Sequence, residues 1–292
     1  MGGLSQLPHT VGEERAQILL ELAQDAVNRN SGDEALALAE EARSIYRGLG
    51  AAISSVEVTR AIFGVGLALK ELHREKEAAE VLDEAITLQR ESGFQYLADT
   101  FRTQGHYYLE AKDYESASKS YREAAQVDEI DGDEEYLAID FYHAGRSLFH
   151  LENFQESVDY FLKARVILKK RRDLVGISWC DRFLAESYIR LGAPEMALVS
   201  ATSCYTVAEL RKDNELMCKG AFAKAKAHML LGEFDQAATD LSEANYIASS
   251  STDWDQILEI QEEYRTLYLN LNKFEEAANI ERKIATIREI LE

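Results

Sequence analysis

Small residues recur along the chain at a near-constant interval, each followed seven positions later by another small or compact residue. The first of each pair falls at Ala35, Ala78, Ala117, Ser157, Ala197, Ala237 and Ala277, and the second at Ala42, Ala85, Ala124, Ala164, Cys204, Ala244 and Ile284. The intervals are 43, 39, 40, 40, 40 and 40 residues. Twelve residues upstream of each first position a second register runs through Ala23, Gly66, Gly105, Gly145, Ala185 and Ala225, with Arg265 as the exception. Three residues beyond it stand Ala26, Leu69, Tyr108, Leu148, Tyr188, His228 and Tyr268. Spacings of three, four and seven are those of one helix face, so each unit predicts two amphipathic helices. Small residues at the crossings let the paired helices approach, and the larger ones fill the space between units.

Short polar stretches (RNSGD, HREKE, AKD, LEN, LGAP, LGE and LNK) separate the two helices of each unit. Longer ones (ESGFQ, DEIDGDEE, KKRRDL and RKDNE) read as loops between units. The expected organisation is a flexible segment at 1–13, then units at about 14–50, 58–92, 97–130, 137–172, 177–212, 217–250 and 257–292. The end units depart most from the pattern, as array ends do. In the last, Arg265 replaces a small residue, and Ile280, Ile284, Ile287 and Ile290 form a stripe. That stripe either packs within its own unit or makes a homodimer through the C-terminal helix.

The small-residue position, the aromatic or leucine three residues on and the Ala…Ala pair of the second helix resemble the tetratricopeptide repeat. Units at 98–130, 138–170 and 221–248 carry the likeness best. The 40-residue period exceeds that family's usual length and is similar to the longer-helix subclass of bacterial Rap-type peptide receptors. The proline that often closes a unit of that family is missing throughout. The resemblance implies an all-α, right-handed superhelical solenoid of about seven helix-turn-helix repeats. It says little about function, because such arrays bind unrelated partners.

Composition narrows the function classes. Lys and Arg number 32 against 52 Asp and Glu, a net charge of −20. That balance opposes general nucleic-acid binding, where phosphate neutralisation supplies most of the affinity, and disfavours an anionic membrane. No apolar run is long enough to span a bilayer. MGGLSQLPHT has no basic stretch leading into an apolar one, and Gln6 departs from the myristoylation pattern. Cys180, Cys204 and Cys218 are odd in number and lack metal-site spacing, which suggests reduced thiols and a cytoplasmic location.

Enzyme motifs are missing. No nucleophile elbow, P-loop or H-E-x-x-H occurs, and the expectation is a protein without catalytic residues, metal or cofactor. Gly64-Val65-Gly66 lacks the third glycine of a dinucleotide fingerprint and reads as a close helix crossing. The acidic stretch 128–135 lacks the calcium-loop register and reads as a solvated loop.

The resemblance implies that first helices line an inner groove, at positions six and three before the small residue and one after it. For the second to sixth units these are Arg60, Phe63 and Leu67; Asp99, Arg102 and His106; Ile139, Tyr142 and Arg146; Trp179, Arg182 and Glu186; and Lys219, Phe222 and Lys226. Six of the fifteen are basic and two acidic, the reverse of the whole chain. Arginines that pair carboxylates, set beside aromatic anchors, suit an extended acidic peptide or protein segment. The expected function is therefore a non-catalytic scaffold or adaptor. A signal-responsive regulator of a second protein and an accessory subunit of an enzyme complex are the alternatives. The plainer account of the same cations is charge balance along the helices, for example Arg182 with Glu186 at i,i+4. Joint charge reversal at Arg102, Arg146 and Arg182 is expected to weaken binding without unfolding the array.

Overall fold

The computed structural model describes residues 12–49, 55–92, 96–251 and 253–291. Among them lie fourteen α-helices and no strand. In chain order the first three pairs are α1 (Gly12–Asn28) and α2 (Gly32–Leu49), α3 (Ser55–Glu71) and α4 (Glu75–Ser92), and α5 (Leu97–Glu110) and α6 (Tyr114–Asp131). They are followed by α7 (Glu134–His150) and α8 (Phe154–Arg171), then α9 (Leu174–Arg190) and α10 (Pro194–Arg211). The last pairs are α11 (Asn214–Leu231) and α12 (Phe234–Ser251), and α13 (Trp254–Asn270) and α14 (Phe274–Leu291). The segment expected at 1–13 lies outside the described residues up to position 11, and α1 begins at Gly12. The fold class is the helical repeat that the period implied.

The seven-residue pairs of compact positions all sit in the core: Ala35, Ala78, Ala117, Ser157, Ala197 and Ala237 have no exposed surface, and Ala277 is buried as well. Their partners Ala42, Ala85, Ala124, Ala164, Cys204, Ala244 and Ile284 are buried too. The upstream register explains why small residues are needed there. A Cβ on Gly105 would stand 3.0 Å from the Tyr121 ring, so α5 and α6 could not approach as they do.

Of the stretches expected as long loops between units, DEIDGDEE, KKRRDL and RKDNE are instead mostly helix, which corrects the sequence reading, whereas ESGFQ lies outside the described residues from position 93 onward. Left-handed residues fall at Lys112, Gly132, Glu152, Arg172, Gly192, Lys212 and Gly232, every twentieth position, and again at Asn272. At each, the next residue's N–H bonds back to a carbonyl five positions earlier, as Asp113 does to Tyr108, Asp173 to Leu168 and Asp213 to Ala208. This Schellman closure satisfies the final helical carbonyls and reverses the chain within two residues. The aspartate that follows then caps the next helix: Asp173 accepts from the Gly176 N–H at 2.9 Å and Asp213 from that of Leu216 at 3.1 Å. Turns within and between pairs thus use one design. The acidic stretch 128–135 is solvated as expected, being exposed from Glu129 to Glu135, but most of it is helix rather than loop: Asp128 is buried in α6, and Asp133 caps α7 through Glu135 and Tyr136.

Contacts divide the chain into two compact units, the described residues up to Ser147 and those from Leu148 onward. A core in the first unit gathers Leu19, Tyr46, Ile62, Val65 and Leu82. In the second, Leu241, Ile257, Ile260, Leu267 and Ile287 form a comparable cluster. The isoleucine stripe of α14 is spent largely on this packing: Ile280, Ile284 and Ile287 are buried, and Ile290 is exposed.

Candidate binding clefts

In the first unit, one face of α3 carries Arg60, Phe63, Leu67 and Lys70, spaced by three and four residues. Arg60, Phe63 and Leu67 line a cleft of about 450 Å³ with Gln17, Leu20, Glu21, Gln24 and Val27 of α1, and Tyr107 of α5. Leu67 and Tyr107 also line an adjoining cleft of about 400 Å³, which adds Lys70, Arg102, His106, Tyr121, Ile139 and His143. The floor is apolar because α1 and α3 present side chains that only partly reach the core. Gly64 helps keep it open, since a Cβ there would stand 3.2 Å from Leu20 Cδ2.

The cations of this unit are not equivalent. Arg102 is the most committed. Its Nε donates to Asp140 Oδ1 at 2.8 Å and its Nη2 to Asp140 Oδ2 at 3.1 Å. Nη2 also donates to Asp128 at 2.6 Å, and Nη1 to Asp99 at 2.6 Å. The guanidinium stacks 4.3 Å from the Tyr136 ring centre. Asp140 has no exposed surface. Burial pushes its carboxyl up to about 8 against the pull of Arg102, and the neighbouring Asp128 adds to the rise. Asp128 is raised as well, again by burial first. Arg102 is thus a buried tie between α5, α6 and α7, and the expectation that it is an exposed groove cation is corrected.

Lys70 and His106 both approach Glu110, each at 3.2 Å. Arg60 is exposed and makes no ion pair among the described residues. Arg146 is half-buried and likewise makes none. It helps hold the His143 imidazole neutral: burial foremost, then Arg146, His106 and Arg102, push that pKa down to about 4. His143 stacks on Tyr121 at 4.9 Å and meets the Tyr142 ring edge-on at 5.1 Å.

In the second unit, Arg182, Glu186, Lys219, Phe222 and Lys226 line a cleft of about 380 Å³. Its other wall, Asp253, Asp255 and Glu259, comes from the start of α13. Arg182 and Glu186 form no ion pair. Arg182 lies over the rings of Trp179 and Phe183 instead, 5.9 and 4.7 Å from their centres. Lys226 sits 4.6 Å from the Phe222 ring, and Lys219 is paired with Glu215 at 2.6 Å. Phe222 is buried, and Trp179 packs on the cluster of Cys204, Ala208 and Leu216. Both aromatics therefore serve the core first.

Sequence reasoning passed over this acidic wall. Carrying the same register into the seventh unit, with Arg265 in the small-residue place, lands on Glu259 and Glu262. Glu259 and Glu263 are both raised, burial being the chief cause and Lys226 opposing it. It also passed over the buried aspartates. Asp181 meets Arg165 at 2.6 Å, and Asp240 meets Lys224 and His228 at 2.7 Å each. The thiols are inert: burial pushes Cys180 up, Cys204 to about 12 and Cys218 to about 11.

Residues 103–131 match the tetratricopeptide repeat. No curated protein matches the sequence. Among solved structures the chain resembles the apo form of RapI, with a TM-score of 0.66 and 16% identity over 93% of this chain and 76% of that one. A Rap protein complexed with competence and sporulation factor gives 0.57 and 16%, over 94% and 76%. The apo quorum sensor NprR from B. thuringiensis gives 0.55 and 10%, over 97% and 90%. At such identities these likenesses show a tetratricopeptide-type fold, and in fold the chain resembles the Rap-type proteins. No described helix is long and apolar enough to cross a membrane.

Proposed function

We propose that the chain is a non-catalytic scaffold that holds an extended, acidic peptide or protein segment against its first helices. The observation that carries this reading is the first-unit cleft, where an apolar floor lies beside the exposed guanidinium of Arg60, which makes no ion pair among the described residues. Phe63, His106, Tyr142 and Arg146 extend the proposed surface in that unit. Trp179, Arg182, Lys219, Phe222 and Lys226 form its counterpart in the second. Arg102 contributes by fixing the cleft wall rather than by meeting the ligand.

A second reading is a signal-responsive regulator. It is favoured by two of the resembled structures, one described as a quorum sensor and one as a complex with a competence and sporulation factor. Here a peptide in the cleft would alter a second protein's binding. Service as an accessory subunit of an enzyme complex fits the same surface. The buried, unbridged thiols suit the reducing cytoplasm. A homodimer through α14 would have to use Ile290 and Leu291, the exposed end of that helix.

The test is affinity capture from native extract with wild type and with Arg60→Glu/Arg146→Glu/Arg182→Glu. A partner held by wild type and lost by this variant supports the reading. A partner retained by the variant rejects it.

A further inference from the structure

The outer face of α10 is uncharged where other second helices are charged. Between Glu195 and Glu209 the helix carries no ionisable acid or base. Yet Met196, Val199 and Leu210 are 50%, 63% and 74% exposed. With the exposed Thr202 and Thr206 they follow spacings of three, three, four and four residues, which is one helix face. In the same register α4 presents Glu77, Glu80, Asp83, Thr87 and Glu91, an ordinary solvated face. Both α8 and α10 pack on α9, and short turns make each antiparallel to it, so the two run parallel. Leu162 and Val166, both exposed, carry the apolar patch onto α8.

The charges at the two ends of α10 select what covers this face. Glu195 lies in its first turn and Arg211 in its last, both exposed and in no ion pair among the described residues. Those signs suit the helix dipole, but the dipole gives no reason for an uncharged middle that faces water. A second α10 laid antiparallel on the first accounts for both features. A twofold axis crossing the helix at Ser203 sets Glu195 opposite Arg211 of the other copy and Met196 opposite Leu210, each pair being equidistant from that point. Val199 then falls opposite Thr206 and Val207. The same operation on α8, forty residues earlier, sets Glu156 opposite Lys170. A parallel copy would bring like charges together at both ends. We propose that the chain pairs with a second copy of itself through the outer faces of α10 and α8, in antiparallel. Each copy carries a net charge of −20, so long-range attraction does not drive the contact and the face itself must hold it. The seam from Met196 to Leu210 is about 21 Å long, which makes a small interface and a reversible dimer. Only second helices take part, so the pairing is independent of the clefts on the first helices.

Sedimentation velocity of the full chain, from about 1 µM to about 100 µM, covers the range in which so small a contact associates. Wild type is expected to move from 32.9 kDa toward twice that mass. Val199→Glu puts a charge into the seam and should raise the dimer Kd at least about tenfold. Glu195→Arg and Arg211→Glu should each weaken the dimer roughly fivefold, and the double variant, which restores opposite charges, should recover most of that loss. Far-UV melts should show all four variants folded, because the three positions are exposed. A wild type that stays monomeric across the range would overturn the proposal. So would a dimer untouched by Val199→Glu but lost with Ile290→Glu, which would place the contact at the end of α14. A double variant no tighter than the single ones would overturn the antiparallel register.

Discussion

Arg102 and Asp140 stand 38 residues apart in sequence and meet through a two-point fork, Nε to Oδ1 at 2.8 Å and Nη2 to Oδ2 at 3.1 Å. The contact binds the first helices of two consecutive pairs at a point where the carboxylate has no exposed surface. Removing the guanidinium would leave the buried Asp128 carboxylate uncompensated and the Asp140 carboxyl without its two donors. Arg102→Ala is therefore expected to destabilise the first unit by about 3–5 kcal/mol, the range for a buried pair that loses one partner. For a unit of this size that is a fall of roughly 10 °C in Tm, measurable by circular dichroism. Arg60→Gln should shift stability by no more than about 0.5 kcal/mol.

The same cluster sets a pH dependence. Asp140 is raised from an ordinary 3.8 to about 8 in the folded chain, so the native state keeps a proton that the unfolded state has released. The resulting stabilisation is complete below about pH 4 and is lost as pH rises through about 8. Asp140→Asn mimics the protonated acid and should flatten the dependence of Tm on pH across that window. Melts at pH 5, 7 and 9 check it. A variant that follows the wild-type slope would place the retained proton elsewhere.

The core and the cations of the cleft differ in how legible they were in the sequence. A buried alanine every 40 residues is a one-dimensional signal, because each unit repeats the same crossing at Ala78, Ala117, Ala197 and Ala237. Arg60 stands six residues before Gly66 and Arg102 three before Gly105, both on the groove register, and the register cannot say which one finds three aspartates. That depended on Asp128 and Asp140, which lie outside the groove register altogether. The turns were missed for a related reason. Among the left-handed positions only 132, 192 and 232 are glycine, so the twenty-residue punctuation was hidden under Lys112, Glu152, Arg172 and Lys212.

Those residues hold a conformation that costs a side-chain-bearing residue about 1–2 kcal/mol. Lys212, at φ 57°, is exposed and in no ion pair among the described residues. Lys212→Gly relieves the clash while adding some freedom to the unfolded chain. The net expectation is a gain of about 0.5–1 kcal/mol, read as a higher urea midpoint with an unchanged slope.

Charge at the cleft should govern the encounter with an acidic partner more than its release. Arg60→Glu/Arg146→Glu/Arg182→Glu places acids where wild type has guanidinium groups, so the association rate constant is expected to fall at least tenfold at low salt. The gap between variant and wild type should narrow as salt shortens the Debye length from about 30 Å at 0.01 M to about 8 Å at 0.15 M. Stopped-flow mixing with the captured partner at both ionic strengths measures it. A salt-independent gap would mean that the substitutions act through packing.

The two tryptophans allow the two units to be watched separately. Trp179 and Trp254 both lie beyond Ser147, so indole fluorescence reports the second unit alone, whereas helical circular dichroism reports both. Each helix packs chiefly on its neighbours in sequence, which limits how far cooperativity extends. Urea unfolding followed by the two probes should therefore give transitions that do not coincide, in violation of two-state behaviour. Arg102→Ala sharpens the expectation, because its cluster belongs wholly to the first unit: it should move the dichroism curve to lower urea and leave the fluorescence midpoint nearly in place. If both probes shift together by the same amount, the chain unfolds as one cooperative body, and the loss of Arg102 is felt across all fourteen helices.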